Sequence, residues 1–366
     1  MTGRPIRFDQ VIPSIAERDA VSYHTLETQR ALREMGFVSE IFAREMSPGM
    51  VAHARPLAEL PRDDASRQWL CYQASIGSPA AEAFIAHPGG KVVTYHNITP
   101  APLVEGWMPF LGEEVRLGRH QLPELAAVSE TGIAVSKYNA AELREAGFAT
   151  TAVASLMMDR SNFDSAAEPG RRAELAAAKR TGGSDWLFVG QMLPHKCHQD
   201  VIKAFACSLR VFDPKARLHL IGRESCPGYV LALHRFIQDL GIASSVDFAG
   251  SVSPAELTAH YQAADVLVCC SAHEGFCAPI IEAMHHGVPV VAYAVAAVPE
   301  TVLDAGLLLS SKEPLLVATA AERVLRDRLL REVLVDRGRE RARRFSLDAA
   351  RVAFVAALEE ALERAG

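Results

Sequence analysis

Along the chain, short apolar runs alternate with longer stretches in which apolar residues recur every three or four positions. Residues 21–36 (VSYHTLETQRALREMG) predict an amphipathic helix closed by Gly36, and Val38-Ser-Glu-Ile-Phe42 predicts the strand that follows it. Lys91-Val-Val-Thr-Tyr-His96 is a second strand and Gly132-Ile-Ala-Val-Ser136 opens a third, after which Asn139 begins a helix ending near Gly147. Strands and helices in this alternation imply a parallel sheet covered by helices on both faces. The texture changes at about 160–185, which is polar, rich in Gly and Ala, and carries no buried strand. The pattern then restarts with strands at Trp186–Val189, Arg217–Ile221, Val246–Phe248 and Asp265–Cys270. The expected organisation is therefore α/β, with two doubly wound Rossmann-like domains at 1–160 and 186–345 and a linker at 161–185. A last helix at 346–366 has Ser346 as its N-cap and an apolar face of Val352, Val355, Leu358 and Leu362.

Composition narrows the partners. At 366 residues the chain suits two domains, and 49% hydrophobic with 22% charged residues is a globular composition. A net charge of −6 argues against nucleic acid as the main partner, and the arginines between Arg323 and Arg344 alternate with acids and leucines as on a solvated helix face. No apolar run approaches the ~20 residues of a membrane span, and the N-terminus lacks a basic-then-apolar signal pattern. Seven cysteines without CxxC pairs or zinc-spaced histidines read as reduced thiols in a cytoplasmic protein. The stretch at about 105–126, with Trp107, Met108, Phe110 and Leu111, reads as core, although it could equally contact a membrane carrying a lipid-linked acceptor.

The densest chemistry lies in SAHEGFCAPIIEAMHHGVPVVAY, residues 271–293. An apolar strand runs into it, Pro279 sits where a first helical turn tolerates proline, and Gly287 stands where a helix stops. Such a turn points backbone N–H groups at whatever lies above the sheet and makes an anion site. Glu274 and Glu282 flank that anion: Glu282 suits vicinal ribose hydroxyls, and Glu274 suits the hydroxyls of a sugar held against the amides of Gly275, Phe276, Cys277 and Ala278. A second loop, VGQMLPHKCHQD at 189–200, offers Gly190 for close backbone approach and Lys196 as a point charge beside a helix start. Alone, such a lysine is more often a surface residue; together the two turns suit a diphosphate. His96 stands at a carboxyl strand end, and the loop Glu17–Val21 could also meet an anion but lacks cradle glycines. There is no GxGxxG after a strand, no GxxxxGK[ST] and no GxSxG, and Asp63-Asp64 lies in a polar proline-containing loop unsuited to a metal. A lysine, amides and a helix dipole would then stabilise a leaving phosphate without metal or other cofactor.

These residues resemble the retaining GT-B glycosyltransferases of the large family that includes bacterial α-mannosyl- and α-glucosyltransferases. The resemblance rests on IGRE, VDFAGSVSPAELTAHYQAADVLVCCSAHEGF, the E-x(7)-E pair Glu274/Glu282 and GVPVVAYAVAAVPETV, with VGQMLPHK, TYHNITP and AVSKYNAAEL upstream. It implies two Rossmann-like domains facing a cleft, an acceptor on the first, a nucleotide-sugar on the second, and a C-terminal helix returning to the first. It further implies that Glu274, His96 and Lys196 serve catalysis and that Gly190, Gln191, Lys196, Gly250, Val252, Glu274, Gly275, Phe276, Cys277, Ala278 and Glu282 bind the donor. The reaction expected is retaining transfer of a hexosyl unit from a GDP- or UDP-sugar to a glycan, lipid-linked or small hydroxyl acceptor, with no metal and with possible peripheral membrane contact. Two departures stand out: Gln191 replaces the family's arginine, a loss that a protonated His195 would offset, and Arg18-Asp19-Ala20 replaces a Gly-Gly turn. An epimerase or phosphorylase of the same fold, or a non-catalytic subunit of a heteromeric transferase, remain the rival readings.

Overall fold

The structure, a computed structural model, describes residues 7–62, 67–158, 163 and 165–365; Asp63-Asp64 and part of the expected linker lie outside them. The chain divides into two compact units, one of residues 1–105, 109–159 and 345–366, the other of 106–108 and 160–344.

In the first unit the strands are β1 (Arg7–Ile15), β2 (Ile41–Met46), β3 (Arg55–Pro56), β4 (Gln68–Ala74), β5 (Gly90–Tyr95), β6 (Thr131–Ala134) and β7 (Thr151–Val153). They pair in parallel in the order β3-β2-β1-β4-β5-β6-β7. Helices α1 (Ala20–Glu34), α2 (Pro79–Ile85), α3 (Pro109–Val128) and α4 (Lys137–Glu145) connect them. Caps set the helix starts: Asp19 accepts from the Ser22 amide at 2.8 Å, and Ser136 from the Asn139 amide at 3.2 Å. Arg18, in place of the family's glycine, adopts φ +57°, a left-handed conformation that a glycine would reach without strain.

Both faces of this sheet are buried. Leu70, Tyr72, Val93 and Tyr95 pack with Phe84 and Val115 on one side, while Phe8, Trp69, Cys71 and Ile133 pack on the other with Phe354 and Leu358. The latter two belong to the final helix, Leu347–Ala365, whose buried face is Ala350, Phe354, Ala357, Leu358 and Ala361. Val352, expected on that face, is 69% exposed. Alanines at helical spacing let the helix approach closely, and a reading weighted to large side chains selects the wrong stripe.

The second unit contains β8 (Asp185–Val189), β9 (Arg217–Ile221), β10 (Val246–Gly250), β11 (Val266–Cys269), β12 (Val290–Tyr293) and β13 (Gly306–Leu309). All pair in parallel, in the order β10-β9-β8-β11-β12-β13. Its helices are α5 (Pro169–Lys179), α6 (His198–Val211), α7 (Pro227–Asp239), α8 (Pro254–Ala263), α9 (Ala278–His285), α10 (Val298–Val302), α11 (Pro314–Arg326) and α12 (Arg328–Arg343). Trp186 is fully buried and meets Phe205 edge to face at 5.7 Å. Strand order reverses between β8 and β11, so their carboxyl ends diverge and leave the crevice in which doubly wound sheets bind ligands.

Three further expectations need correction. The segment expected as an inter-domain linker contains α5, which packs on α8 within the second unit; its Ala-rich sequence lacks a wide apolar stripe, and only Leu175 is buried. The strand expected at Val38–Phe42 lies at Ile41–Met46, with Val38 reduced to a single bridge and 52% exposed. The stretch around Trp107 is not uniformly core: Trp107 is 48% and Phe110 84% exposed, while Met108 and Leu111 are partly buried. Among the described residues, no helix is long and apolar enough to cross a membrane.

Candidate functional site

Two loops meet at the reversal point of the second sheet. The loop after β8 begins at Gly190 and ends in a short 3-10 turn, Pro194–Lys196, before α6. The loop after β11 carries Glu274 and turns into α9 through Cys277, which holds φ +68°. Its carbonyls are tied down, that of Glu274 by the Ala297 amide (3.1 Å) and that of Phe276 by the Thr301 hydroxyl (2.8 Å). The first turn of α9, with Pro279 in it, presents helix-start amides at this sheet edge.

Lys196 and Glu274, 78 residues apart in the chain, come together here. The ammonium donates to both carboxylate oxygens, at 2.7 and 2.9 Å. Burial pulls the Lys196 pKa down, but the Glu274 carboxylate outweighs it, so the pKa is raised and the group is charged. The third ammonium proton stays available to another acceptor.

Glu282 lies in α9 and is buried rather than solvated. Its Oε2 accepts from the Tyr261 hydroxyl of α8 at 2.7 Å, and the Tyr261 ring stacks on His286. Gly190, Gln191 and Gly250 also gather at this edge, because neighbouring strand ends are zipped together. The Gly190 amide donates to Ile221, Met192 to Arg223 and Gly222 to Gly250, at 2.8–2.9 Å. A Cβ on Gly222 would overlap the Gly190 carbonyl oxygen, so this junction admits only glycine.

Gln191 is not alone. Its Oε1 accepts from the Arg223 guanidinium (3.4 Å) and the Ser225 hydroxyl (3.3 Å). Arg223 therefore supplies, from the end of β9, a cation at the position where Gln191 has none. Nothing in the sequence sets β9 beside β8, so Arg223 does not stand out there. Tyr261 was missed because nothing local to α8 marks a partner 21 residues on. His195 does not compensate: burial first, and then the Lys196 charge, push its pKa well below 6.5 and keep it neutral.

In the first unit, His96 follows β5 and its Nε2 pairs with Gln73 Oε1 at 2.7 Å. The amide oxygen can only accept, so Nε2 carries the proton and Nδ1, buried without a hydrogen-bond partner, is the acceptor. Burial, and secondarily His24 at 4.9 Å between ring centroids, hold the His96 pKa well below 6.5. The imidazole is neutral. Val252 lies just beyond β10.

Residues 175–341 match the family of glycosyl transferases group 1. They belong to that family. The chain is thus a glycosyltransferase, and its relatives agree. It is 27% identical to the D-inositol 3-phosphate glycosyltransferase of Geodermatophilus obscurus over 95% of this chain and 87% of that one. Identity rises to 34% with the Corynebacterium aurimucosum protein of the same name, over 44% of this chain and 40% of that one. Among solved structures, Anabaena HepE in complex with UDP and glucose is similar with a TM-score of 0.76 at 17% identity, covering 97% of this chain and 100% of that one. Sucrose-phosphate synthase of Thermosynechococcus elongatus is similar with a TM-score of 0.76 at 19% identity, over 98% and 100%. These likenesses establish the GT-B fold of this glycosyltransferase.

Proposed function

We propose that this glycosyltransferase moves a hexosyl unit from a nucleotide-sugar, first of all a UDP-sugar, to a hydroxyl acceptor with retention at the anomeric carbon. The observation that carries this reading is the Lys196–Glu274 pair at the reversal point of the sheet, with Glu282 and Arg223 on the flanking elements. A diphosphate suits the third proton of Lys196, the Arg223 guanidinium and the amides of Gly275–Ala278 that lead into α9. Glu282, oriented by Tyr261, suits the ribose hydroxyls, and Glu274 suits the hydroxyls of the sugar. The backbone about Gly250 and Val252 is assigned to the base.

In the reaction, the bond from the anomeric carbon to the β-phosphate oxygen breaks and the nucleoside diphosphate departs. The acceptor oxygen bonds to the same face, and its proton passes to the departing phosphate oxygen. Lys196 and Arg223 stabilise the charge that develops there without a metal. His96, neutral and with an acceptor nitrogen at Nδ1, is suited to receive a hydrogen bond from a sugar hydroxyl rather than to act as the main base. The HepE structure was solved with UDP and glucose, and the full-length relatives are named for D-inositol 3-phosphate. UDP-glucose and a phosphorylated cyclitol are therefore the first donor and acceptor to test, with GDP-sugars and glycan or lipid-linked acceptors next. We assign the enzyme to the cytoplasm, in keeping with its seven free cysteines.

A panel of UDP-, GDP-, ADP- and dTDP-sugars screened by thermal shift, then by release of nucleoside diphosphate with and without acceptor, tests the reading. A donor at ~100 times its dissociation constant adds about 2.7 kcal/mol of stability. Release that depends on the acceptor and is lost in Lys196→Ala and Glu274→Ala is expected. Unchanged turnover in both variants would remove the assignment.

A further inference from the structure

The donor loop holds chemistry that glycosyl transfer does not use. Cys269 ends β11 and Cys277 caps α9, and both thiols are buried, 5% and 7% exposed. Their sulfurs lie 3.9 Å apart. A ligand oxygen of Glu274, itself 7% exposed, completes a trio whose donor atoms all fall within 4.8 Å of one another. Among the described residues no other group of His, Cys, Asp or Glu side chains draws so close.

We propose that Cys269, Glu274 and Cys277 form an inhibitory site for a thiophilic divalent cation of the Zn²⁺ class. Tetrahedral zinc bonds thiolate sulfur at ~2.3 Å, which sets two sulfurs on one ion about 3.8 Å apart. The observed 3.9 Å spacing is already that of a tetrahedron edge, so the ion needs little rearrangement of the two thiols. Two thiolates and one carboxylate form a donor set that favours Zn²⁺ over the hard, oxygen-seeking Mg²⁺. On binding, the two thiols release their protons to solvent, the carboxylate bonds the metal, and a water takes the fourth position. Ser271, whose hydroxyl oxygen lies 3.5 Å from Cys269 Sγ, is placed to donate to the thiolate once its proton has gone.

The cost falls on the donor site. Glu274 presents both oxygens to Lys196. An ion on that carboxylate displaces the ammonium, sets two cations against each other and occupies the group assigned to the donor sugar. Metal and nucleotide-sugar therefore exclude each other, a consequence that rests on the donor-site reading, whereas the metal site itself does not.

The test separates the two. Reduced protein without donor is titrated with Co²⁺, whose bonds to thiolates give a near-ultraviolet charge-transfer band. One equivalent with that band is expected, displaced by Zn²⁺, retained in Cys270→Ala and lost in Cys269→Ala, with Cys269→Ser as a second variant and thermal midpoints as the check on folding. Absence of the band, or its persistence in both Cys269 variants, overturns the site whatever the enzyme transfers. In the turnover assay Zn²⁺ competes with the donor, and Cys269→Ala keeps its activity while becoming at least ten-fold less sensitive. Equal sensitivity in Cys269→Ala, or a Co²⁺ band unchanged at saturating donor, overturns the inhibition.

Discussion

Replacing one partner of the Lys196–Glu274 pair separates what the pair does for folding from what it does for the substrate. At an effective dielectric constant of ~20, unit charges about 3 Å apart attract by roughly 5–6 kcal/mol, and desolvating the two ions offsets several kcal/mol of that. The net value of the intact pair is therefore small. Removing one member is different, because it leaves the other charge poorly solvated, at a cost of roughly 3–5 kcal/mol for a fully buried pair. Glu274 is 7% exposed, but Lys196 is 21% exposed and can turn partly toward water. For Glu274→Gln we expect about 2–3 kcal/mol. Lys196→Met strands the less exposed carboxylate and is expected to cost somewhat more. The double variant is expected to lose less than the sum, with a coupling of at least ~1.5 kcal/mol, within the range for contacting residues. Urea unfolding of the four proteins at pH 7 measures this. Additivity within 0.5 kcal/mol would refute the buried pair.

Ligand binding supplies the second half of the same test. In Glu274→Gln the ammonium no longer divides its protons between a carboxylate and phosphate, so UDP is expected to bind at least as tightly as to the parent. Transfer from UDP-glucose is expected to fall by ~100-fold, the scale of losing one group that acts on developing charge. Equal losses in UDP affinity and turnover would show that Glu274 serves the nucleotide and not the sugar.

Arg223→Ala is expected to weaken UDP about ten-fold, ~1.4 kcal/mol, and Gln191→Arg in that background to restore most of it; titration calorimetry decides, and no loss in Arg223→Ala removes Arg223 from the site. Tyr261→Phe leaves Glu282 without its 2.7 Å donor. It is expected to cost ~1–2 kcal/mol of stability and to weaken UDP more than 2′-deoxy-UDP, a difference absent if Glu282 does not touch the ribose. His219 gives a pH signature: burial opposes its charge, but hydrogen bonds to Asp185 and Asp247 outweigh that and raise its pKa above 6.5. A raised folded-state pKa stabilises the fold fully below the unfolded value and loses that contribution as pH climbs through the folded one. The gap in thermal midpoint between the parent and His219→Asn is therefore expected to narrow above pH 6.5; a gap that widens there would reverse the assignment.

What could be read from the chain, and what could not, follows from where each element finds its partners. Strands β8 and β11 announce themselves because a strand buried on both faces is a run of apolar residues, and β9 because its leucines alternate with polar positions. The first strand of the chain does not, since Asp9 and Gln10 interrupt it. Both are fully buried and satisfied from far away, Asp9 by Gln68 and the Glu40 amide in addition to its neighbour Arg7, and Gln10 by Gln73 at 2.7 Å. No local pattern reports a hydrogen bond that spans 63 residues. The same limit governs the site. Glu274 and Lys196 stand out in the sequence because each lies at a strand-to-helix turn, whose chemistry is local, and Glu282 because it follows one turn of helix later. Strand order was not legible, and it is strand order that sets Arg223 beside Gln191. A glutamine in an arginine position reads as lost charge only while the neighbouring strand is unknown. With β9 against β8, a cation from the next loop reaches Gln191, and on the function proposed above Lys196 and Arg223 are the two positive groups for the departing phosphate.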